Sequence, residues 1–361
     1  MNDKVTLMKG NEALAMAMIR YGADGYFGYP ITPQSEVLEK LEEEMPWDTT
    51  GMVVLQAESE VAAINMVYGG AMTGKAVCTS TSSPGFSLMQ EGVSYLAASE
   101  VPALLINVQR GGPGLGTIHA SQADYFQACK GGGHGDYHMI VLAPSSVQEM
   151  ADMVALGFDL AFKYRCVSMI LADGTIGQLM EKVVLPEQRP RRTDDEIRKQ
   201  CPWAVNGRKG MRPSNVVTSL ELDDDKMEEN NWRFQACYRE IEKNETRCEL
   251  IDVEDCDYLI TAFGTTARIA MKTMELARAE GIKVGMFRPI TLWPFPEKQL
   301  REAAAKVKGI LCVELNAGQM VEDVKLAVEC KMPVEHYGRF GGNVPTPDEL
   351  LNVLKEKLIN K

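Results

Sequence analysis

Three segments in the first third of the chain carry residues that could do chemistry. Tyr29-Pro30-Ile31-Thr32-Pro33 sets a hydroxyl beside two prolines. Gln56-Ala57-Glu58-Ser59-Glu60 sets two carboxylates two residues apart, just ahead of an apolar run. A carboxylate can accept a hydrogen bond and steer a proton. Leu105-Ile-Asn-Val-Gln-Arg110 ends a strand-like run in arginine. A guanidinium clasps a carboxylate through two parallel hydrogen bonds and keeps its charge when partly desolvated. Each segment also has a plain structural use. Thr32 could cap a helix with Pro33 at its first position. Glu58 and Glu60 could face the positive end of a helix dipole, and Arg110 could solvate a strand end.

Other patterns fall short of function. Gly69-Gly-Ala-Met-Thr-Gly74-Lys75-Ala76 nearly spells a phosphate-cradling loop. It lacks the closing Ser or Thr, and it follows a helix where the motif must precede one. We read it as a helix stop. Arg110-Gly-Gly-Pro-Gly-Leu-Gly116 follows a strand but has the wrong glycine spacing for a dinucleotide fingerprint. A nicotinamide dehydrogenase is therefore a weak reading. The loop suits close backbone approach to a ligand, and Lys130-Gly-Gly-Gly-His134-Gly-Asp136 could face the same site. The four histidines form no metal set, and no Gly-x-Ser-x-Gly elbow anchors a hydrolase triad.

The net charge of −12 argues against nucleic acid or an anionic membrane as partner. Nine scattered cysteines, none at C-x-x-C spacing, suit reduced thiols in a cytoplasm and cannot hold an iron–sulfur cluster run. Neither a signal peptide nor a membrane-length apolar run is expected.

The elements that must position these residues alternate. Strands are predicted over 25–29, 52–56, 76–81, 102–108, 139–143 and 166–172. Helices are predicted over 11–21, 33–44, 59–72, 86–98 and 146–164. Nearly continuous apolar strands alternating with helices imply a parallel sheet covered on both faces. Residues 186–255 lose apolar periodicity and read as an extended connector with some helix near its end, free to wrap a neighbouring chain or to run over the surface. From 256 to 361 the rhythm resumes. Strands are expected over 258–263, 284–287 and 310–315, and helices over 267–280, 297–307, 320–330 and 347–358.

Tyr29-Pro-Ile-Thr-Pro33, Glu58-Ser-Glu60 and the strand-end Arg110 together resemble the 2-oxoacid:ferredoxin oxidoreductases. Ser121-Gln-Ala-Asp124, Ala143-Pro-Ser-Ser-Val147, Phe287–Pro296 and Val313–Met320 agree. The likeness covers about 1–185 and 250–361. Gly111–Gly116 and Lys130–Tyr137 bring it nearest to the α-type subunits of the branched-chain, 2-oxoisovalerate enzymes. The resemblance implies an α/β fold with two parts. A thiamine-diphosphate pyrimidine-binding domain over 1–185 would precede a transketolase C-terminal-like domain over 256–361.

It also implies roles. Glu60 would hydrogen-bond the pyrimidine N1′, favouring the imino tautomer whose 4′-nitrogen takes the C2 proton of the thiazolium. Tyr29, Pro30, Ile31 and Glu58 would lie at the cofactor, with Glu58 free to cap the helix instead. Thr32 and Arg110 would meet the 2-oxoacid. Ala172-Asp173-Gly174 only echoes a diphosphate–magnesium motif. The diphosphate and Mg2+ are therefore expected on a β-type partner, and 4Fe-4S clusters on a ferredoxin-like subunit. The complex would convert a 2-oxoacid and coenzyme A to acyl-CoA and CO2, reducing ferredoxin. The alternatives are the same chemistry on 2-oxoglutarate or pyruvate, and a non-catalytic assembly subunit.

Overall fold

The computed structural model describes residues 5–208, 210 and 212–360. Residues 1–4, part of the stretch read for a signal peptide, lie outside them. The first part runs β1 (Val5–Lys9), α1 (Gly10–Tyr21), β2 (Gly25–Gly28), α2 (Ser35–Glu44), α3 (Pro46–Thr49), β3 (Val53–Gln56) and α4 (Glu60–Met72). It continues through β4 (Val77–Thr81), α5 (Ser83–Ala98), β5 (Ala103–Gln109), α6 (Tyr125–Cys129), β6 (Ile140–Leu142), α7 (Val147–Tyr164), β7 (Val167–Asp173), α8 (Gly174–Gln178) and β8 (Met180–Val184).

The connector holds α9 (Asp194–Gln200) and α10 (Asp224–Asn244). The last part comprises β9 (Cys248–Ile251), β10 (Tyr258–Thr261), α11 (Gly264–Ala279), β11 (Val284–Pro289), β12 (Thr291–Trp293), α12 (Glu297–Ala304), β13 (Gly309–Glu314), α13 (Met320–Ala327), β14 (Val334–Gly338) and α14 (Pro347–Leu354).

Seven strands form the first sheet in the order β12-β6-β7-β5-β4-β2-β3. Every pairing in it is parallel except β12 with β6. β5 and β7 are buried along their whole length, as strands covered on both faces must be. The second sheet runs β14-β13-β10-β11-β9, with only β9 antiparallel. β1 and β8 pair apart as a ribbon.

Two strands cross the boundaries read from sequence. β9 joins the second sheet from inside the connector, and β12 leaves the second part to edge the first sheet. The connector carries the helix expected near its end, α10, and a short one before it, α9. α10 buries Phe234, Tyr238 and Ile241, each worth about 1.5–3 kcal/mol. Glu245 just beyond it binds Lys163 and Tyr164, each at 2.6 Å. Arg191 Nε donates to buried Asp24 at 2.9 Å. Much of the connector is thus held against its own chain. The near-P-loop ends α4, and Gly74 packs on Ile197, Cys201 and Ala204 of the connector.

Candidate active site

β2, β4 and β5 run parallel, so their C-terminal ends open on one edge of the sheet. Ligands of open α/β sheets bind at that edge. The Tyr29–Pro33 loop leaves β2, α5 leaves β4, and Arg110 follows β5 directly.

A buried polar chain holds the first loop. Tyr26 Oη lies 2.7 Å from Ser80 Oγ, Ser80 donates to Gln34 Oε1 at 2.5 Å, and Gln34 Nε2 donates to Tyr29 O at 3.2 Å. Asn11 and Gln178 donate to Pro33 O at 2.6 and 3.0 Å. Thr32 and Pro30 are exposed, and Tyr29 and Ile31 half-buried. Thr32 caps no helix. α2 starts at Ser35 after Gln34, because the Pro33 carbonyl is already taken by these two side chains.

Glu58 and Glu60 separate. Ser59 caps α4, its Oγ accepting from Ala62 N at 3.2 Å, so Glu58 is not the cap. Glu58 is exposed, whereas Glu60 opens α4 and keeps only 6% exposure. The Glu60 carboxylate reaches the first turn of α5, where a Cβ on Gly85 would lie 2.5 Å from Oε1. It takes no hydrogen bond from the described residues.

Arg110 is nearly buried and joins two loops. Nη1 donates to Thr32 O at 2.9 Å and Nη2 to Leu115 O at 3.0 Å, while Nε is enclosed without a partner. Those bonds occupy two of its five N–H groups, which leaves capacity for one carboxylate. Ser83, first residue of α5, accepts from Arg110 N at 3.0 Å. Its Oγ also lies 2.6 Å from Asp124 Oδ2. Asn107 Nδ2 donates to the same oxygen at 2.9 Å, and Asp124 N donates to Gln109 Oε1 at 3.0 Å. Burial raises the Asp124 carboxyl above the ordinary value, against the pull of the Ser83 and Asn107 donors.

Glu60 and Arg110 therefore meet the Ser83–Gly85 turn from two sides, and Thr32 joins through its carbonyl on Arg110. The sequence reading singled out neither Ser83 nor Gly85, because it started this helix at residue 86. Pro84 at the head of the helix was the available signal. Asp124 stands out in the sequence only as part of the family-like Ser121–Asp124 segment. Beside Arg110 opens a cavity of about 480 Å3, lined from the first part by Pro84, Pro113 and Asp124 and from the second by Asn316 and Phe340.

The glycine loops behave differently from the dinucleotide reading. Gly111 N donates to His119 O at 2.9 Å and Thr117 N to Gly111 O at 2.8 Å, closing a hairpin-like turn with no helix behind it. Gly116 sits at φ +60°, and the Gly111 carbonyl fills the place of its Cβ. No strand–loop–helix phosphate cradle forms there. The loop around Gly135 lines a separate cavity of about 370 Å3 with Tyr95, Leu220 and Phe234, so the two loops do not share a site.

A buried carboxylate without a partner among the described residues, facing a turn cleared by glycine, fits a ring nitrogen of an aminopyrimidine. The diphosphate end finds no such match on Asp173. That carboxylate accepts from Thr175 N, Ile176 N, Thr265 N and Thr265 Oγ1, at 3.1, 3.2, 2.8 and 2.5 Å. It locks α8 and α11 together instead. Among the described residues no group of three or more His, Cys, Asp or Glu could hold a metal ion, and no helix is long and apolar enough to cross a membrane.

Residues 16–244 match the family described as pyruvate flavodoxin/ferredoxin oxidoreductase, thiamine diphosphate-binding. Residues 256–350 match pyruvate:ferredoxin oxidoreductase core domain II. Ketoisovalerate oxidoreductase subunit VorB of Methanothermobacter marburgensis is 47% identical over 351 residues, covering 97% of each chain. 2-Oxoglutarate synthase subunit KorA of the same organism is 35% identical over 377 residues, covering 96% of this chain and 97% of its own.

A solved 2-oxoglutarate:ferredoxin oxidoreductase from Magnetococcus marinus, with 2-oxoglutarate, coenzyme A and succinyl-CoA bound, matches with TM-score 0.83 and 28% identity. The match covers 98% of this chain and 65% of that longer one. A split gene transketolase matches at TM-score 0.60 and 13% identity over 98% of both chains, which shows the fold alone. Its α/β architecture, its thiamine-diphosphate-binding domain and these relatives agree: the chain belongs to the pyruvate flavodoxin/ferredoxin oxidoreductase family, as a subunit of the 2-oxoacid oxidoreductase type.

Proposed function

We propose that this chain is the α-type subunit of a cytoplasmic, thiamine-diphosphate-dependent branched-chain 2-oxoacid:ferredoxin oxidoreductase. Its identity with a ketoisovalerate subunit exceeds that with a 2-oxoglutarate subunit, 47% against 35%. The complex oxidatively decarboxylates a 2-oxoacid, joins the acyl group to coenzyme A and passes the electrons to ferredoxin. Bound thiamine diphosphate supplies the carbon nucleophile and the electron sink for that decarboxylation.

Glu60 holds the aminopyrimidine by a hydrogen bond at its ring nitrogen and sets its tautomer. Burial keeps water from competing for that bond. Tyr29, Pro30 and Ile31 form the loop beside the ring. Arg110 clasps the substrate carboxylate with the N–H groups left over from Thr32 and Leu115, and Thr32, held to Arg110 by its carbonyl, meets the same substrate. Asp173 is committed to the domain tie, so a β-type partner brings the diphosphate and Mg2+ site. With cysteines scattered through this chain, a ferredoxin-like partner carries the 4Fe-4S clusters.

The observation that carries this reading is Glu60, buried yet without a hydrogen bond from any of the described residues. The test is anaerobic purification of the native complex and viologen reduction with several 2-oxoacids. Glu60→Gln should assemble but lose about 10²–10⁴-fold in turnover. Near-normal turnover, or an equal loss in Glu58→Gln, would overturn the assignment.

A further inference from the structure

Arg110 is useful as a clamp only if its backbone is fixed, and a second network holds it. Four side chains converge on the last residues of β5. Asn107 and Gln109 project from the strand itself, Ser83 comes from α5, and Asp124 lies between them. Proton counting decides how this network runs. A serine hydroxyl has one proton to give and two lone pairs. Ser83 Oγ lies 2.6 Å from Asp124 Oδ2 but 3.1 Å from Arg110 O. The carboxylate, being closer and charged, takes the proton. The Ser83 lone pairs are then turned to Arg110 N–H, 3.0 Å away.

We infer that Asp124 is a positioning residue for the 2-oxoacid: through Ser83 it fixes the backbone of Arg110 and so the direction of the guanidinium. The inference rests on the reading of Arg110 as substrate clamp. Asp124 itself need not touch substrate. Its two side-chain bonds both end on Oδ2. One amide oxygen could accept them equally well, so the role depends on shape more than on charge.

That distinction sets the experiment, run on the assembled complex with a branched-chain 2-oxoacid. Ser83→Ala and Asp124→Ala should each raise KM roughly tenfold, with kcat changed by less than about twofold, because a small misplacement of a binding group is felt strongly. The inhibition constant of a simple branched monocarboxylate should rise in parallel. The double variant should be little worse than either single one, since both break one chain of bonds. Asp124→Asn should recover most of the lost KM relative to Asp124→Ala.

An unchanged KM in Ser83→Ala overturns the inference, as does an Asp124→Asn variant as impaired as Asp124→Ala. A fall in kcat with KM unmoved also overturns it, since that marks lost active enzyme only. If Asp124→Ala does not assemble, Ser83→Ala decides alone, because it deletes a single oxygen. Arg110→Lys separates the two levels. If its KM is normal, the clamp reading itself fails. If its KM rises while Ser83→Ala is normal, only the positioning role fails.

Discussion

Glu60 Oε1 and Gly85 face each other so closely that a methyl group on Gly85 would stand 2.5 Å from that oxygen. Replacing a helical glycine by alanine ordinarily gains about 0.5–1 kcal/mol. Here the methyl also meets Thr81 Oγ1 on a fully buried strand, which has little room to retreat. The yielding group is the Glu60 carboxylate. Gly85→Ala should therefore assemble normally yet bind thiamine diphosphate on the order of tenfold more weakly, with turnover falling alongside. Calorimetric titration of cofactor into the cofactor-free complex measures it. Unchanged affinity would mean that the pyrimidine does not sit against this glutamate.

Charge in the Arg110 cavity predicts which substrates the enzyme refuses. Arg110 is the one cation among its described lining residues, and Asp124 the one anion. If Arg110 is the proposed clamp, a single carboxylate uses it up, while the exposed ring of Phe340 offers an apolar wall. A second carboxylate on the substrate would find no counter-ion there. The complex should prefer 2-oxoisovalerate to 2-oxoglutarate by at least about tenfold in kcat/KM. The γ-methyl ester of 2-oxoglutarate, with that charge removed, should recover much of the difference. Equal rates for the acid and its ester would show that the second charge is not what the site rejects.

Much of this site was legible because its chemistry lies in short local runs. Tyr29–Pro33, Glu58–Glu60 and Arg110 could be picked out, and near-continuous apolar runs marked strands such as β5 and β7. Interactions between distant segments left no such trace. Ser83 and Asp124 are 41 residues apart, and neither neighbourhood announces the other. β12 is three residues long, and its antiparallel partner β6 lies in the other domain. β9 sits in a polar stretch where no apolar alternation marks it. The different burial of Glu58 and Glu60 is likewise visible only in the fold.

Asp173 offers a test of how the two domains are joined. It is buried and accepts four hydrogen bonds, two of them from Thr265 of the second domain. Asp173→Ala would strand those donors at a cost on the order of 3 kcal/mol. Differential scanning calorimetry should show a lower midpoint or two separated transitions. Asp173→Asn should lose less, because it keeps an acceptor. A midpoint within about one degree of the parent would mean that the domains are held elsewhere.

Acid should loosen a second joint, at His138. Its ring stacks on Trp293 of β12 at 4.6 Å and meets the edge of Tyr238 of α10 at 5.4 Å. First domain, connector helix and crossing strand thus touch one imidazole, whose Nδ1 is buried without a partner. Burial, helped by the charge of Lys130, lowers its pKa below the ordinary 6.5. A depressed pKa means that the fold prefers the neutral ring. The stability this brings is present above the unfolded value and is lost as pH falls through the folded one. Half-buried His336 is lowered in the same sense and adds to the trend. The thermal midpoint should therefore fall from about pH 7.5 to about pH 5.5. His138→Phe keeps an aromatic ring against Trp293 but cannot take up a proton. It should flatten part of that slope and leave the share due to His336. A pH dependence identical to that of the parent would show that this imidazole does not titrate with unfolding.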